Sequence, residues 1–172
     1  IDCEHCEVRH MSMFGVLCEH ERADLNVKKM CKTYAKGQLL FHQGSRPLGV
    51  YCINKGKVKV YSVGYQGKEQ IVNISTPGQL LGYRTMIGEE TYNVNAEALE
   101  DTNVCFVPKS DFLNLVQHNH ELYNNLFKAA CKELGVMAES ITNLAQKTVR
   151  ERTAITLLML KDTYGLDGIE DG

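Results

Sequence analysis

Positive charge is not in excess: 19 Lys and Arg face 21 Asp and Glu, for a formal net charge of −2. That excludes the basic footprint of a nucleic-acid-binding face within this chain. No apolar run approaches the roughly 18 residues of a membrane span. No secretory leader pattern opens the chain, and it begins at Ile1 rather than Met. The expectation is a trimmed or partly ordered piece of something longer. Catalytic patterns are missing too. There is no Ser/His/Asp spacing, no P-loop and no pair of catalytic carboxylates. Glu89 and Glu90 are adjacent, which is poor placement for two groups acting on one substrate. The expectation is a protein that is not an enzyme.

What is present is 172 residues with 44% hydrophobic content, enough for one core or a core with a helical appendage. Two halves differ in period. From about Met30 to Pro108 the chain runs in short segments punctuated by glycine. "LLFHQG", "GVYCINKG", "KVKVYSVG", "QIVNISTPG", "YNVNAEALED" and "TNVCFVP" are candidate strands. "NKGK", "YQGK" and "TPGQ" supply turn chemistry. Short strands spaced by about 8–12 residues predict an antiparallel barrel or roll.

From Lys109 onward the period is helical. Ser110 or Asp111 is the expected cap of a short helix through Gln117. A long helix without proline follows, from about His120 to Gln146. Along it Phe127, Ala130, Leu134, Met137, Ile141 and Leu144 alternate by three and four, the a/d seam of a parallel dimer. Packing of that face on the chain's own barrel is the other reading. A second helix, "TVRERTAITLLMLKDTYG", starts near Thr148, and "LDGIEDG" reads as a loop or linker. The fold class is therefore mostly β plus α, an antiparallel β-roll with a long C-terminal dimerisation helix. The expected divisions are an N-terminal cysteine segment at 1–20, the roll at 21–116, the helix at 117–147 and a linker region at 148–172.

The phrases "GKEQIVNISTPGQLLGYRTMI", "ALEDTNVCFVPKSDFLNLV" and "NLAQKTVRERTAITLLML", in that order, resemble the Crp/Fnr superfamily of transcription regulators, in its fumarate–nitrate reduction branch. The resemblance covers nearly the whole chain. It implies an effector domain with the cyclic-nucleotide-binding fold, a double-stranded β-helix, followed by a dimer helix. It also implies a winged helix-turn-helix beyond the last residue of this chain.

Nucleotide-binding members use the stretch corresponding to "GQLLGYRTMIGEETYNVNAEALED" as a phosphate cassette. A Gly-Glu pair takes the ribose hydroxyl, and further on an Arg with Ser or Thr takes the cyclic phosphate. Here Gly82 is followed by Tyr83 instead of Glu. Tyr92 or Asn93 stands at the phosphate-arginine position, and Val94 follows. The positions on the dimer helix that would reach the base fall near Met137 and Ala138. A buried phosphate without its cation is costly, so the resemblance here implies a fold without cyclic AMP. Arg84 and Thr85 remain as a candidate anion site at the start of a short helix. The competing reading pairs Arg84 with Glu89 or Glu90.

Seven cysteines, an odd number, are Cys3, Cys6, Cys18, Cys31, Cys52, Cys105 and Cys131. Without a secretory signal they read as mostly free thiols in a reducing compartment. Cys31, Cys52 and Cys131 read as buried small hydrophobes. In oxygen-sensing relatives three N-terminal cysteines and one from the roll hold a [4Fe–4S] cluster. Cys3, Cys6 and Cys105 match that pattern. Ser12 stands at the third position, so Cys18 would have to substitute. Zinc on Cys3, Cys6 and nearby histidines, a dithiol–disulfide switch at Cys3 and Cys6, and a purely structural segment, with Arg9 to Leu17 a helix packing Met13, Phe14 and Leu17 on the roll, are the other readings.

The sequence thus reads as the sensor and dimerisation region of a cytoplasmic Crp/Fnr-type transcription regulator. Its expected partners are a second copy and, through the full-length protein, DNA and RNA polymerase. No membrane is involved, and an unidentified small-molecule effector is a candidate input. The alternative is a small-molecule binding module regulating a partner outside transcription.

Overall fold

Alternating apolar positions between glycine turns produce eight strands. The computed structural model describes residues 2–165. In chain order come α1 (Glu19–Lys28), β1 (Met30–Tyr34), β2 (Leu39–Phe41), β3 (Gly49–Lys55), β4 (Val58–Val63), β5 (Glu69–Ser75), β6 (Leu80–Leu81) and α2 (Tyr83–Ile87). Then follow β7 (Asn95–Ala98), β8 (Thr102–Pro108), α3 (Lys109–His118), α4 (His120–Gln146) and α5 (Val149–Tyr164). The strands form two antiparallel sheets, ordered β1-β8-β3-β6 and β2-β7-β4-β5. This is the expected roll. The tight turn between β3 and β4 needs Gly56, at φ 89°. A Cβ there would lie 2.9 Å from the Cα of Thr102.

The β3–β8 pair is covered on both faces. Side chains alternate across a strand, so Ile53 and Val104 point inward, opposite each other. There they join Leu40, Phe41, Val58, Val60, Ala96 and Ala98 in the core between the sheets. Val50 and Val107, also opposite each other, have the other parity and are equally buried. Val107 lines a cavity with Phe14, Leu17 and Leu25. The N-terminal segment and α1 therefore cover the outer face of this sheet. Phe14 meets fully buried Phe112 of α3 edge-on, with ring centroids 6.5 Å apart.

Several local expectations change. The stretch from Arg9 to Leu17 is not one helix but two 3-10 turns, Arg9–Met11 and Met13–Val16. Ser12 separates them, with extended backbone and an Oγ that accepts from the Phe14 amide. The cap of α3 is Pro108 rather than Ser110 or Asp111, because β8 runs directly into the helix. Neither β1, β6 nor α1 was among the expected elements.

Residues up to Leu126 form one compact unit and residues from Phe127 on form another. In the first, Asn119 anchors the start of α4. Its Oδ1 accepts from the Leu122 amide at 2.8 Å, and its Nδ2 donates to Glu21 of α1 at 2.8 Å. Leu122 and Leu126 bury the first turns of α4. In the second unit, Thr148 and Glu151 form a capping box at the start of α5. The stretch "LDGIEDG", read as a linker, lies outside the described residues.

Phe112→Ala removes a fully buried ring beneath the N-terminal segment. It should lower unfolding free energy by about 3–5 kcal/mol, read from urea denaturation. A loss below about 1 kcal/mol would show that this face is not part of the core.

Candidate functional site

Two places deserve a chemical reading, the pocket inside the roll and the cavity on its outer face. The first is filled by protein. Tyr92, one of the two candidates for the phosphate-arginine position, is buried and stacks on Phe41, with ring centroids 3.9 Å apart and planes 12° from parallel. Tyr51 continues the cluster to Phe41 and Phe106. The Tyr92 hydroxyl donates to the Gly49 carbonyl at 3.4 Å. A Cβ on Gly82 would stand 2.9 Å from that hydroxyl, so the loop closes directly over the ring. Burial, and then the neighbouring Tyr51, hold the Tyr92 phenol far above its ordinary range. It stays neutral and offers no charge to a phosphate.

The rest of the loop agrees. Tyr83, which follows Gly82, is buried with Met86 in α2. Arg84 and Asn93 are exposed, and Thr85 and Val94 are half-buried. Val94 packs against the roll core. The anion site at Arg84 and Thr85 has little to build on, because α2 is only five residues long. Met137 lies on α4, in the second unit.

The second place is built from sulfur. Cys31 and Cys105 face each other in the β1–β8 register and are joined by a disulfide, with Cα atoms 4.1 Å apart. This corrects the expectation for these two cysteines, while Cys3, Cys6, Cys18, Cys52 and Cys131 are free thiols. Cys31 is exposed rather than a buried hydrophobe, and so is Cys131. On the other side of β8, Cys52 of β3 stands opposite Cys105. Three neighbouring strands therefore carry one row of sulfurs. Cys52 and Cys105 line a cavity with Cys3 and Cys6 of the N-terminal segment. Lys29 Nζ donates to Cys3 Sγ at 2.8 Å, and Asn54 Nδ2 donates to Cys6 Sγ at 3.3 Å. Ser12 Oγ lies 3.5 Å from Cys52 Sγ. Burial pushes the Cys52 thiol up to about 11.

A [4Fe–4S] cluster needs four thiolates around one centre. Here Cys3, Cys6 and Cys105 do share a cavity, but Cys105 is bonded to Cys31. Cys18 is exposed at the start of α1, outside that cavity. Among the described residues no three His, Cys, Asp or Glu side chains are arranged to hold a metal ion. The residues as placed fit neither the cluster nor the zinc site. The sequence reading had missed Cys31 and Cys52, since only strand register puts them beside Cys105.

On α4 the seam positions Phe127, Leu134, Ile141 and Leu144 are exposed, while Ala130 and Met137 are half-buried.

Residues 31–119 match the family model described as "Cyclic nucleotide-binding domain". Regulatory protein HlyX of Actinobacillus pleuropneumoniae is 26% identical over 98% of this chain and 70% of its own length. The fumarate and nitrate reduction regulatory protein of Escherichia coli is 29% identical over 98% of this chain and 67% of its own. The solved sensor domain of the transcriptional regulator DNR from Pseudomonas aeruginosa superposes with a TM-score of 0.69. That match has 19% identity and covers 85% of this chain and 95% of that one.

Two outcomes follow. A ligand at about 100 times its Kd adds about 2.7 kcal/mol to stability, so cyclic AMP should leave the thermal midpoint unmoved. A rise of a few degrees in millimolar nucleotide would reopen the pocket. Because the thiolate is the reacting species, Cys52 should alkylate with iodoacetamide at pH 8 at least about tenfold slower than exposed Cys18 or Cys131. The gap should narrow as pH rises toward 11. Equal rates at pH 8 would contradict the enclosure of its sulfur.

Proposed function

Because the chain belongs to the cyclic nucleotide-binding domain family, we propose that it is the sensor and dimerisation region of a Crp/Fnr-type transcription regulator whose roll does not take a cyclic nucleotide. The observation that carries this reading is a pairing of two features. A roll whose inner pocket is filled by Tyr92 is followed, after the short helix α3, by a 27-residue helix, α4, with an exposed apolar seam.

Each part has a physical role. Phe127, Leu134, Ile141 and Leu144 leave large apolar side chains in water in the single chain. A second copy with the same seam buries them by knobs-into-holes packing. An input at the roll shifts the population of dimer arrangements, and the helices carry that shift onward. The partners this reading implies are a second copy, DNA and RNA polymerase. The net charge of −2 argues against a phosphate-binding face within these 172 residues. No helix among the described residues is long and apolar enough to cross a membrane, and the reading puts the protein in the cytoplasm. The relatives are transcription regulators rather than enzymes. They also disfavour a module serving a partner outside transcription.

Sedimentation velocity tests the core of this reading. The chain should sediment as a dimer and Ile141→Glu as a monomer, since a charge at a seam position carries a desolvation cost. A dimer that survives Ile141→Glu unchanged places the interface elsewhere.

A further inference from the structure

Five of the seven cysteines converge on one face of one sheet. Cys31, Cys105 and Cys52 stand in register across β1, β8 and β3. The N-terminal segment lays Cys3 and Cys6 over them in a shared cavity. The disulfide has one sulfur, that of Cys105, on the cavity side. Its other half, Cys31, is not part of the lining. The two N-terminal sulfurs are held in place by donors, Lys29 Nζ on Cys3 and Asn54 Nδ2 on Cys6.

We propose that this cavity is a thiol–disulfide exchange site, in which the Cys3–Cys6 dithiol reduces the Cys31–Cys105 disulfide through the sulfur of Cys105. One N-terminal thiol loses its proton and attacks Cys105 Sγ. A new sulfur–sulfur bond forms to Cys105, the Cys31–Cys105 bond breaks, and Cys31 leaves as a thiolate that takes up the proton. The second N-terminal thiol then attacks its neighbour in the mixed disulfide. Cys3–Cys6 becomes the disulfide, and Cys105 leaves and is protonated. Two electrons pass from the N-terminal pair to the sheet pair, and no outside oxidant or reductant is consumed.

Attack falls on Cys105 because it is the half of the disulfide that faces the dithiol. Cys52 shares the cavity and is half-buried, but its thiol, pushed up to about 11, stays protonated and is the poorer nucleophile, so it is a spectator. The exchange changes what holds the N-terminal segment to the roll. In one state the sheet is cross-linked and the segment carries free thiols. In the other the segment is cross-linked within itself, and β1 and β8 are held together by their backbone ladder alone. Cys105 and Val107 belong to the same strand and the same cavity lining, so the change reaches the packing of Phe14, Leu17 and Leu25. A disulfide in a reducing compartment is characteristically transient and redox-sensing rather than a permanent staple. The chemistry stands on the geometry alone, whether or not the chain regulates transcription.

The test maps disulfides in the whole chain. Wild type, Cys3→Ser and Cys6→Ser are equilibrated in a series of reduced-to-oxidised glutathione ratios, quenched in acid, alkylated, digested and read by mass spectrometry. Loss of the resolving thiol should trap the intermediate. One of the two variants should accumulate a peptide joining its remaining N-terminal cysteine to Cys105, at least about tenfold above wild type, with Cys31 alkylated. Cys31→Ser, which leaves the N-terminal segment untouched, should link Cys105 to Cys3 or Cys6 in the oxidised buffers. Circular dichroism checks that each variant is folded. If Cys105 links only to Cys31, Cys52 or glutathione across the series, or if Cys31 and Cys105 stay free throughout in wild type, the proposal is wrong. Should either N-terminal variant fail to fold, the Cys31→Ser result decides alone.

Discussion

Strands β3 and β8 are buried on both faces, and that double burial organises the molecule. One parity of side chains, Ile53 and Val104, packs between the two sheets. The other, Val50, Val107, Cys52 and Cys105, faces the N-terminal segment, α1 and α3. A strand pair of this kind has no solvent side on which to relax a change of register, because a one-residue slip would exchange the two faces. The inner face shapes the pocket that Tyr92 fills. The outer face sets the row of sulfurs. The two candidate sites are opposite sides of the same pair of strands.

The closing of the inner pocket is an energetic substitution as much as a deletion. A pocket that has only lost its arginine would leave an apolar cavity, which destabilises in proportion to its volume. Here Tyr92, a candidate for that position, is itself the filling. Tyr92 stacks on Phe41 and gives its hydroxyl to the Gly49 carbonyl. Stacked rings contribute about 0.5–1.5 kcal/mol beyond their buried area, so the closed pocket adds to the stability of the roll. On the reading proposed above, regulation enters elsewhere, and the outer face carries the cysteines.

Much of this was legible in the sequence. The bounds of α4 followed from its unbroken three-and-four spacing and absence of proline. The strands from Leu39 to Pro108 followed from their glycine punctuation. Tyr83 and Tyr92 were visible as aromatic residues in the loop, and the structure buries both. Other features were not legible, each for its own reason. Strand β1 reads "MCKTY", mostly exposed and without a clear apolar alternation, and β6 is only two residues long. Ser12 splits a stretch whose apolar residues otherwise suit one helix, by accepting the Phe14 amide. The convergence of Cys31, Cys52 and Cys105 depends on which strands pair and in what register, information carried by the whole topology rather than by any local pattern.

That last point changes how the N-terminal "CEHC" motif is read. Alone, a C-x-x-C pair is ambiguous between metal, redox and packing. Its surroundings select among these. A metal site requires several free donors converging on one centre, and among the described residues none do. Pure packing would leave no reason for Lys29 and Asn54 to spend hydrogen bonds on the two sulfurs. Exchange chemistry needs a dithiol, a disulfide with one sulfur in the same cavity, and a cover that keeps them together. The outer face of the β1-β8-β3 sheet supplies all three, and it does so on a strand pair whose register cannot drift.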